Sequence, residues 1–187
     1  MFPMSIRRRF KSIRAGGKKP PAGLPARVRP APRGCETEKM KKDVLISIRG
    51  VQLVDGEKEC IELLTTGRYY KKNGSYYLSY LETEATGMEG IRTTLHIEDS
   101  KRVTMLRSGR AKSQLIIEKG CRHQCHYDTG YGSIMVGVLG DRIDSRLSDE
   151  GGVLDFSYSL DINTALASEN RVTITVRDAA PPPAPVQ

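Results

Sequence analysis

All ten prolines of this 187-residue chain lie outside residues 34 to 180. Proline has no amide N–H to give to a ladder, and its ring fixes φ. A proline-free stretch of this length is therefore what continuous β-sheet requires. Pro3, Pro20, Pro21, Pro25, Pro30 and Pro32 precede the stretch, and Pro181, Pro182, Pro183 and Pro185 follow it. The flanks read as solvated extended chain. The expected organisation is a disordered basic leader over 1–40, one β domain over 41–178 and a short Pro-rich tail over 179–187.

The basic charge is concentrated in the leader. Residues 1–42 hold 13 of the 30 Lys and Arg, with only Glu36 and Glu38 of the 22 acids, so they carry +11 of a net +8 and the remainder carries −3. Affinity for nucleic acid comes from Lys and Arg neutralising phosphates. A slightly acidic domain has little of that to offer, so only the leader is suited to RNA or to an acidic membrane surface. The leader also fits an Arg-rich transit peptide, or an upstream extension ahead of a start at Met40, next to Lys41-Lys42-Asp43. The extension or a dispensable arm is the preferred reading.

Cys35, Cys60, Cys121 and Cys125 form no dense disulfide framework, and no signal-peptide core precedes them. A reducing, cytoplasmic setting is expected. No apolar run approaches the ~20 residues of a membrane-spanning helix.

Within the proline-free stretch, strands alternate with tight turns. Val44, Ile46 and Ile48 alternate with Leu45, Ser47 and Arg49 from Asp43 to Val54. Asp55-Gly56 and Asn73-Gly74 then supply the positive φ angles of type I′ hairpins. A second strand runs through Ile61, Leu63 and Tyr69, and a third begins at Tyr76. Gly87–Gly90 separates the third from a fourth over Ile91–Glu98, and a fifth carries Val103, Met105 and Arg107. A sixth is expected around Leu115–Glu118, a seventh over Gly132–Leu147, an eighth after Gly151-Gly152 and a last over Arg171–Arg177. A helical turn is expected near Asn163–Ser168. The fold class is all-β, an antiparallel up-and-down barrel of about eight strands, with a sandwich as the rival arrangement.

Several segments resemble a known family. Leu81-Glu82-Thr83-Glu84 with Thr86-Gly87-Met88-Glu89-Gly90, then Arg92-Thr93-Thr94-Leu95, is similar to the YwiB-like family of small bacterial calycin-type barrels. So are Arg107-Ser108-Gly109, Tyr127-Asp128-Thr129-Gly130-Tyr131-Gly132 and Ser168-Glu169-Asn170-Arg171-Val172-Thr173-Ile174, in the family's order and with similar spacing. Gly130 departs from the proline common there, which implies a looser turn before Tyr131. The resemblance implies a calycin- or lipocalin-like barrel over about 41–177. It implies no activity, because the family is a domain of unknown function.

Two groups of residues invite chemistry. Cys121, His123, Cys125 and His126 offer soft ligands, but His126 points to the opposite strand face and no second ligand pair is near, so neither metal nor cofactor is expected. The stronger candidate is the barrel interior. Alternation places Arg107 on the face of Val103 and Met105, and Tyr80, Glu82 and Glu84 on the face of Tyr76 and Leu78. An inward Arg must be paired, and Arg107 with Glu82 beside tyrosine hydroxyls would orient a small polar or anionic ligand. The same pair would equally serve to fix the barrel's register. Tyr69, Tyr70, Tyr76, Tyr77 and Tyr80 flank one hairpin, yet the nearby Glu82, Glu84 and Glu89 disfavour base stacking.

The sequence therefore points to a non-enzymatic barrel that binds a small molecule or a protein partner. The rival readings are an enzyme using Glu82 and Glu84 at the barrel mouth, and an RNA-associated protein acting through its leader. Homodimer formation is left open.

Overall fold

The computed structural model describes residues 41–110, 112–128 and 132–179. Strands β1 (Lys42–Val54), β2 (Glu57–Lys72), β3 (Ser75–Leu81), β4 (Arg92–Glu98) and β5 (Arg102–Ser108) are followed by β6 (Ser113–Glu118), β7 (Arg122–Asp128), β8 (Ser133–Ser148), β9 (Gly151–Ile162) and β10 (Ala165–Asp178). Each strand pairs antiparallel with its sequence neighbours. The barrel closes where β1 meets β10, from Val44 opposite Asp178 to Leu53 opposite Glu169. This is the expected antiparallel up-and-down barrel rather than a sandwich. The readings of the leader, of the tail beyond Ala179 and of Gly130 lie outside the described residues.

The strand count is corrected from about eight to ten. The Cys- and His-bearing segment is itself a strand, β7, paired along its whole length with β8. Its polar alternation, Arg122-His123-Gln124-Cys125-His126-Tyr127, hides a strand because only Cys125 and Tyr127 are buried. The expected helical turn near Asn163–Ser168 is also overturned. Asn163 and Thr164 have φ of 51° and 67°, and they make a two-residue hairpin from which β10 starts at Ala165. Asp55-Gly56 and Asn73-Gly74 adopt the same positive angles, as their types demand.

Period-two alternation fills the interior. Val44, Ile46 and Ile48 from β1 meet Leu95 and Ile97 from β4, Leu115 and Ile117 from β6, Phe156 from β9 and Ile174 from β10, all buried in one apolar cluster. Each such side chain contributes roughly 1.5–3 kcal/mol relative to exposure. At one end, the β8–β9 hairpin folds over the tips of earlier hairpins. The Tyr69 hydroxyl donates to the Ser148 carbonyl at 2.8 Å, the Tyr76 hydroxyl to Asp149 at 3.1 Å, and the Ser145 amide to the Ser100 hydroxyl at 3.0 Å.

The β6–β7 turn leans onto β8 at Gly140. The Gly120 amide donates to the Gly140 carbonyl at 2.8 Å, and a Cβ at 140 would stand 2.4 Å from the Glu118 carbonyl oxygen. Only glycine permits that approach, and β8 shifts register there, between Gly140 and Arg142.

Candidate functional site

The end of the barrel opposite the β8–β9 hairpin is where polar side chains enter the interior. It is bounded by the β3–β4 segment, whose 3-10 turn Glu84–Thr86 ends at Gly87 in the left-handed conformation, φ 64°. The Glu82 amide donates to the Ile91 carbonyl at 2.8 Å and the Gly90 amide to the Glu82 carbonyl at 3.3 Å, which pinches the segment shut. Thr86, Met88 and Ile91 are buried beneath it.

Three of the four expected site residues meet there. Tyr80, Glu82 and Arg107 are all buried, and the Arg107 Nε lies 4.0 Å from Glu82 Oε1 with side-chain exposures of 2% and 1%. Glu84 does not join them. β3 ends at Leu81, the period-two alternation ends with it, and Glu84 is left exposed on the 3-10 turn. Glu82 is buried and Glu84 exposed, so the two carboxylates do not share one inward face.

Two residues not singled out from the sequence complete the group. The Thr93 hydroxyl donates to Glu82 Oε1 at 2.6 Å. Thr93 stands opposite both Tyr80 and Arg107, and Arg107 stands opposite Ser113. The small residues on either side of Arg107 leave room for its long side chain to lie inside. A signal for Thr93 was available, since it is the single hydroxyl on the inward face that Leu95 and Ile97 share. Tyr158 arrives from β9, and nothing in its local pattern distinguishes it from Phe156 or Leu160.

The electrostatics follow from burial. Burial pushes the Tyr80 hydroxyl well above the usual phenol range, and the charge of Glu82 adds to this, against the opposing effects of Arg107 and Thr93. Burial likewise pushes Tyr158 up to about 12, countered by Arg107 and assisted by Tyr127. Both phenols are therefore neutral donors at any physiological pH. Glu82 Oε2 and the Tyr158 hydroxyl have no hydrogen-bond partner although both are buried. Leaving such a group unpaired costs roughly 1–3 kcal/mol.

A second polar pair lies further round the barrel. Asn170 donates to the Ser168 hydroxyl at 2.9 Å, while both polar atoms of the Gln52 side chain lack partners. A cavity of about 10 Å³ among Gln52, Glu59, Ile61 and Asn170 is close to the volume of one water.

The Cys- and His-bearing strand does not gather its ligand types. Cys125 is buried, with burial raising its thiol, and its sulfur accepts from the Ile116 amide at 3.4 Å. His123 Nε2 lies 2.8 Å from Glu118 Oε2, and Cys121 and His126 are exposed. Among the described residues no helix is long and apolar enough to cross a membrane.

The chain is similar to known proteins across this same barrel. The uncharacterized β-barrel protein YwiB of Bacillus subtilis (strain 168) is 27% identical over 137 residues, covering 73% of this chain and 94% of that protein. The crystal structure of the ywiB protein from Bacillus subtilis superimposes with a TM-score of 0.68 at 25% identity, covering 76% of this chain and 96% of that one. The family model for the domain of unknown function DUF1934 matches residues 46–174. The Leu81–Leu95 and Ser168–Ile174 segments lie within this match, and the chain belongs to the DUF1934 family of uncharacterised β-barrel proteins.

Proposed function

We propose that the protein is a non-enzymatic, cytoplasmic binding barrel that takes a small polar molecule at the Tyr80–Glu82–Thr93–Arg107 group beneath the β3–β4 segment. One observation carries this reading. Glu82 is buried with Oε1 engaged by Thr93, yet its Oε2 has no partner. That oxygen is a buried acceptor, and the Tyr158 hydroxyl, which feels the charge of Arg107, is a neutral donor also without a partner. A ligand bearing an O–H or N–H donor next to an acceptor satisfies both, and buried polar groups are rarely left unsatisfied. The cytoplasmic setting is supported by the sparse cysteines, of which Cys60, Cys121 and Cys125 are free thiols.

The test is native mass spectrometry of the full chain purified from cells, compared with Arg107→Ala and Tyr158→Phe, each checked for folding by circular dichroism. A small mass retained by the wild type and lost from the folded variants is expected. An empty wild-type barrel in repeated preparations overturns the reading and leaves the group as a register-fixing polar core.

A further inference from the structure

A trough of about 490 Å³ runs over the outer face of β1, β10, β9 and β8, away from the lumen. Its origin is a mismatch in side-chain length. Outward positions on β9 are occupied by Ser157 and Ser159, whereas the flanking strands present Val51 and Leu53 from β1 and Leu139 and Asp141 from β8. The register aligns them. Leu53 stands opposite Glu169, Glu169 opposite Ser159, and Ser159 opposite Leu139, making one row across four strands. With strands about 4.8 Å apart, this row spans roughly 14 Å. Leucines stand at both ends of the row and a short serine lies between them.

The walls are apolar and uncovered, with Leu53 39% and Leu139 40% exposed. The charge lining the trough is negative. Arg171 is the one lining cation, and its guanidinium already donates to Asp155 Oδ2 at 3.2 Å. Asp141 accepts from the Ser157 hydroxyl at 2.9 Å and has no cation beside it among the ion pairs of the described residues. Glu169 is exposed in the middle of the row, and among the described residues its carboxylate has no ion-pair partner. The volume lies within the ~300–1,000 Å³ usual for small-molecule sites.

We infer that this trough is a binding site for a small organic cation with an apolar body. The ammonium or guanidinium end pairs with Glu169 above Ser159, and the apolar body lies against Leu53 or Leu139. An anion would meet Asp141 and Glu169, and the one cation lining the trough, Arg171, is already paired with Asp155. A neutral molecule would gain the apolar walls alone. This site is separate from the lumen group, because its lining side chains, Tyr158 and Asn170 apart, belong to the outward parity of their strands.

The experiment is amide-detected NMR titration of the full chain with three probes that share one body, namely 4-phenylbutylamine, 4-phenylbutan-1-ol and 4-phenylbutyrate. The amine is expected to shift the amides of Ser157, Ser159, Glu169 and Leu139. It should bind about three- to fivefold more tightly than the alcohol, the size of a partly solvated ion pair, with the butyrate weakest. Glu169→Gln should bring the amine down to the affinity of the alcohol, and Ser159→Leu, which fills the trough, should abolish binding of both. Equal affinities for all three probes, shifts mapping elsewhere, or amine binding that survives in Ser159→Leu overturn the proposal. Should Ser159→Leu fail to fold, Glu169→Gln at its exposed position decides the outcome alone.

Discussion

Arg122 on β7 and Asp161 on β9 clasp each other across the intervening strand β8. Nε donates to Oδ2 at 2.8 Å and Nη2 to Oδ1 at 2.6 Å, directly over Gly137. A Cβ at residue 137 would fall 2.1 Å from Asp161 Oδ2 and 2.2 Å from Arg122 Nη2, so the clasp exists because that position bears no side chain. The two glycines of β8 thus do different work. Gly137 makes room for flexible side-chain ends, and Gly140 makes room for backbone.

That difference sets an order of stability. Gly140→Ala drives a methyl against the Glu118 carbonyl oxygen and carbon, at 2.4 and 2.7 Å, and neither can move without unseating the β6–β7 turn. A cost of about 1–3 kcal/mol is expected, a fall in Tm of roughly 3–10 °C. Gly137→Ala should cost less, since it expels only the solvent-facing clasp. Thermal unfolding of both variants checks the order, and a larger fall for Gly137→Ala would contradict it.

Acid should destabilise the barrel through three carboxylates. The Arg122 guanidinium holds Asp161 below the usual carboxylate range, and Arg102 does the same for Glu98. Burial pushes Asp155 up, but the Thr173 hydroxyl and the Arg171 guanidinium more than offset this and leave it lowered. A carboxylate with a lowered folded-state pKa stabilises fully above its unfolded value and loses that contribution as pH falls through the folded one. Tm is therefore expected to be flat above about pH 5 and to fall steadily below about pH 4. In Asp161→Asn the fall should be shallower, which a pH series of melting curves would show.

The ion pair inside the barrel is predicted to matter more when broken than when removed whole. Arg107→Ala leaves the buried Glu82 with Thr93 and Tyr80 but no counter-charge, and a loss of about 3–5 kcal/mol is expected. The double variant Arg107→Met with Glu82→Leu takes both charges away and should recover most of that loss. Urea unfolding of the single and double variants measures the difference. A double variant no more stable than Arg107→Ala would show that the pair contributes net stability.

Tyr69 anchors the far end through its bond to the Ser148 carbonyl, with burial holding its phenol well above the usual range and therefore protonated. Tyr69→Phe keeps the ring and removes the donor, for a loss of about 0.5–1.5 kcal/mol. Hydrogen exchange should accelerate in the β8–β9 turn near Ser148–Gly151 while β3 and β4 stay protected. Unchanged exchange there would mean that the hairpin is held by its other contacts.

Much of this protein is settled locally along the chain. The proline-free stretch marks where ladders can form, Asp55-Gly56 and Asn73-Gly74 set their own hairpins, and period-two alternation alone turns Arg107 and Tyr80 inward. These follow because a strand's two faces and a two-residue turn are properties of adjacent residues. Glu84 was misplaced for the same reason, since alternation extrapolates past Leu81 without knowing that the strand stops there. Closure was decided only in three dimensions. The pairing of Val44 with Asp178 joins residues at opposite ends of the domain, and the polar β7 becomes a strand because β8 lies beside it. Thr93 reaches Glu82 and Arg107 only through the register of β4 against β3 and β5, and Tyr158 comes to Arg107 from the distant strand β9. The outer trough likewise exists only once the register lays short serines between leucines from distant strands, because side-chain neighbours across a sheet are set by pairing rather than by proximity in sequence.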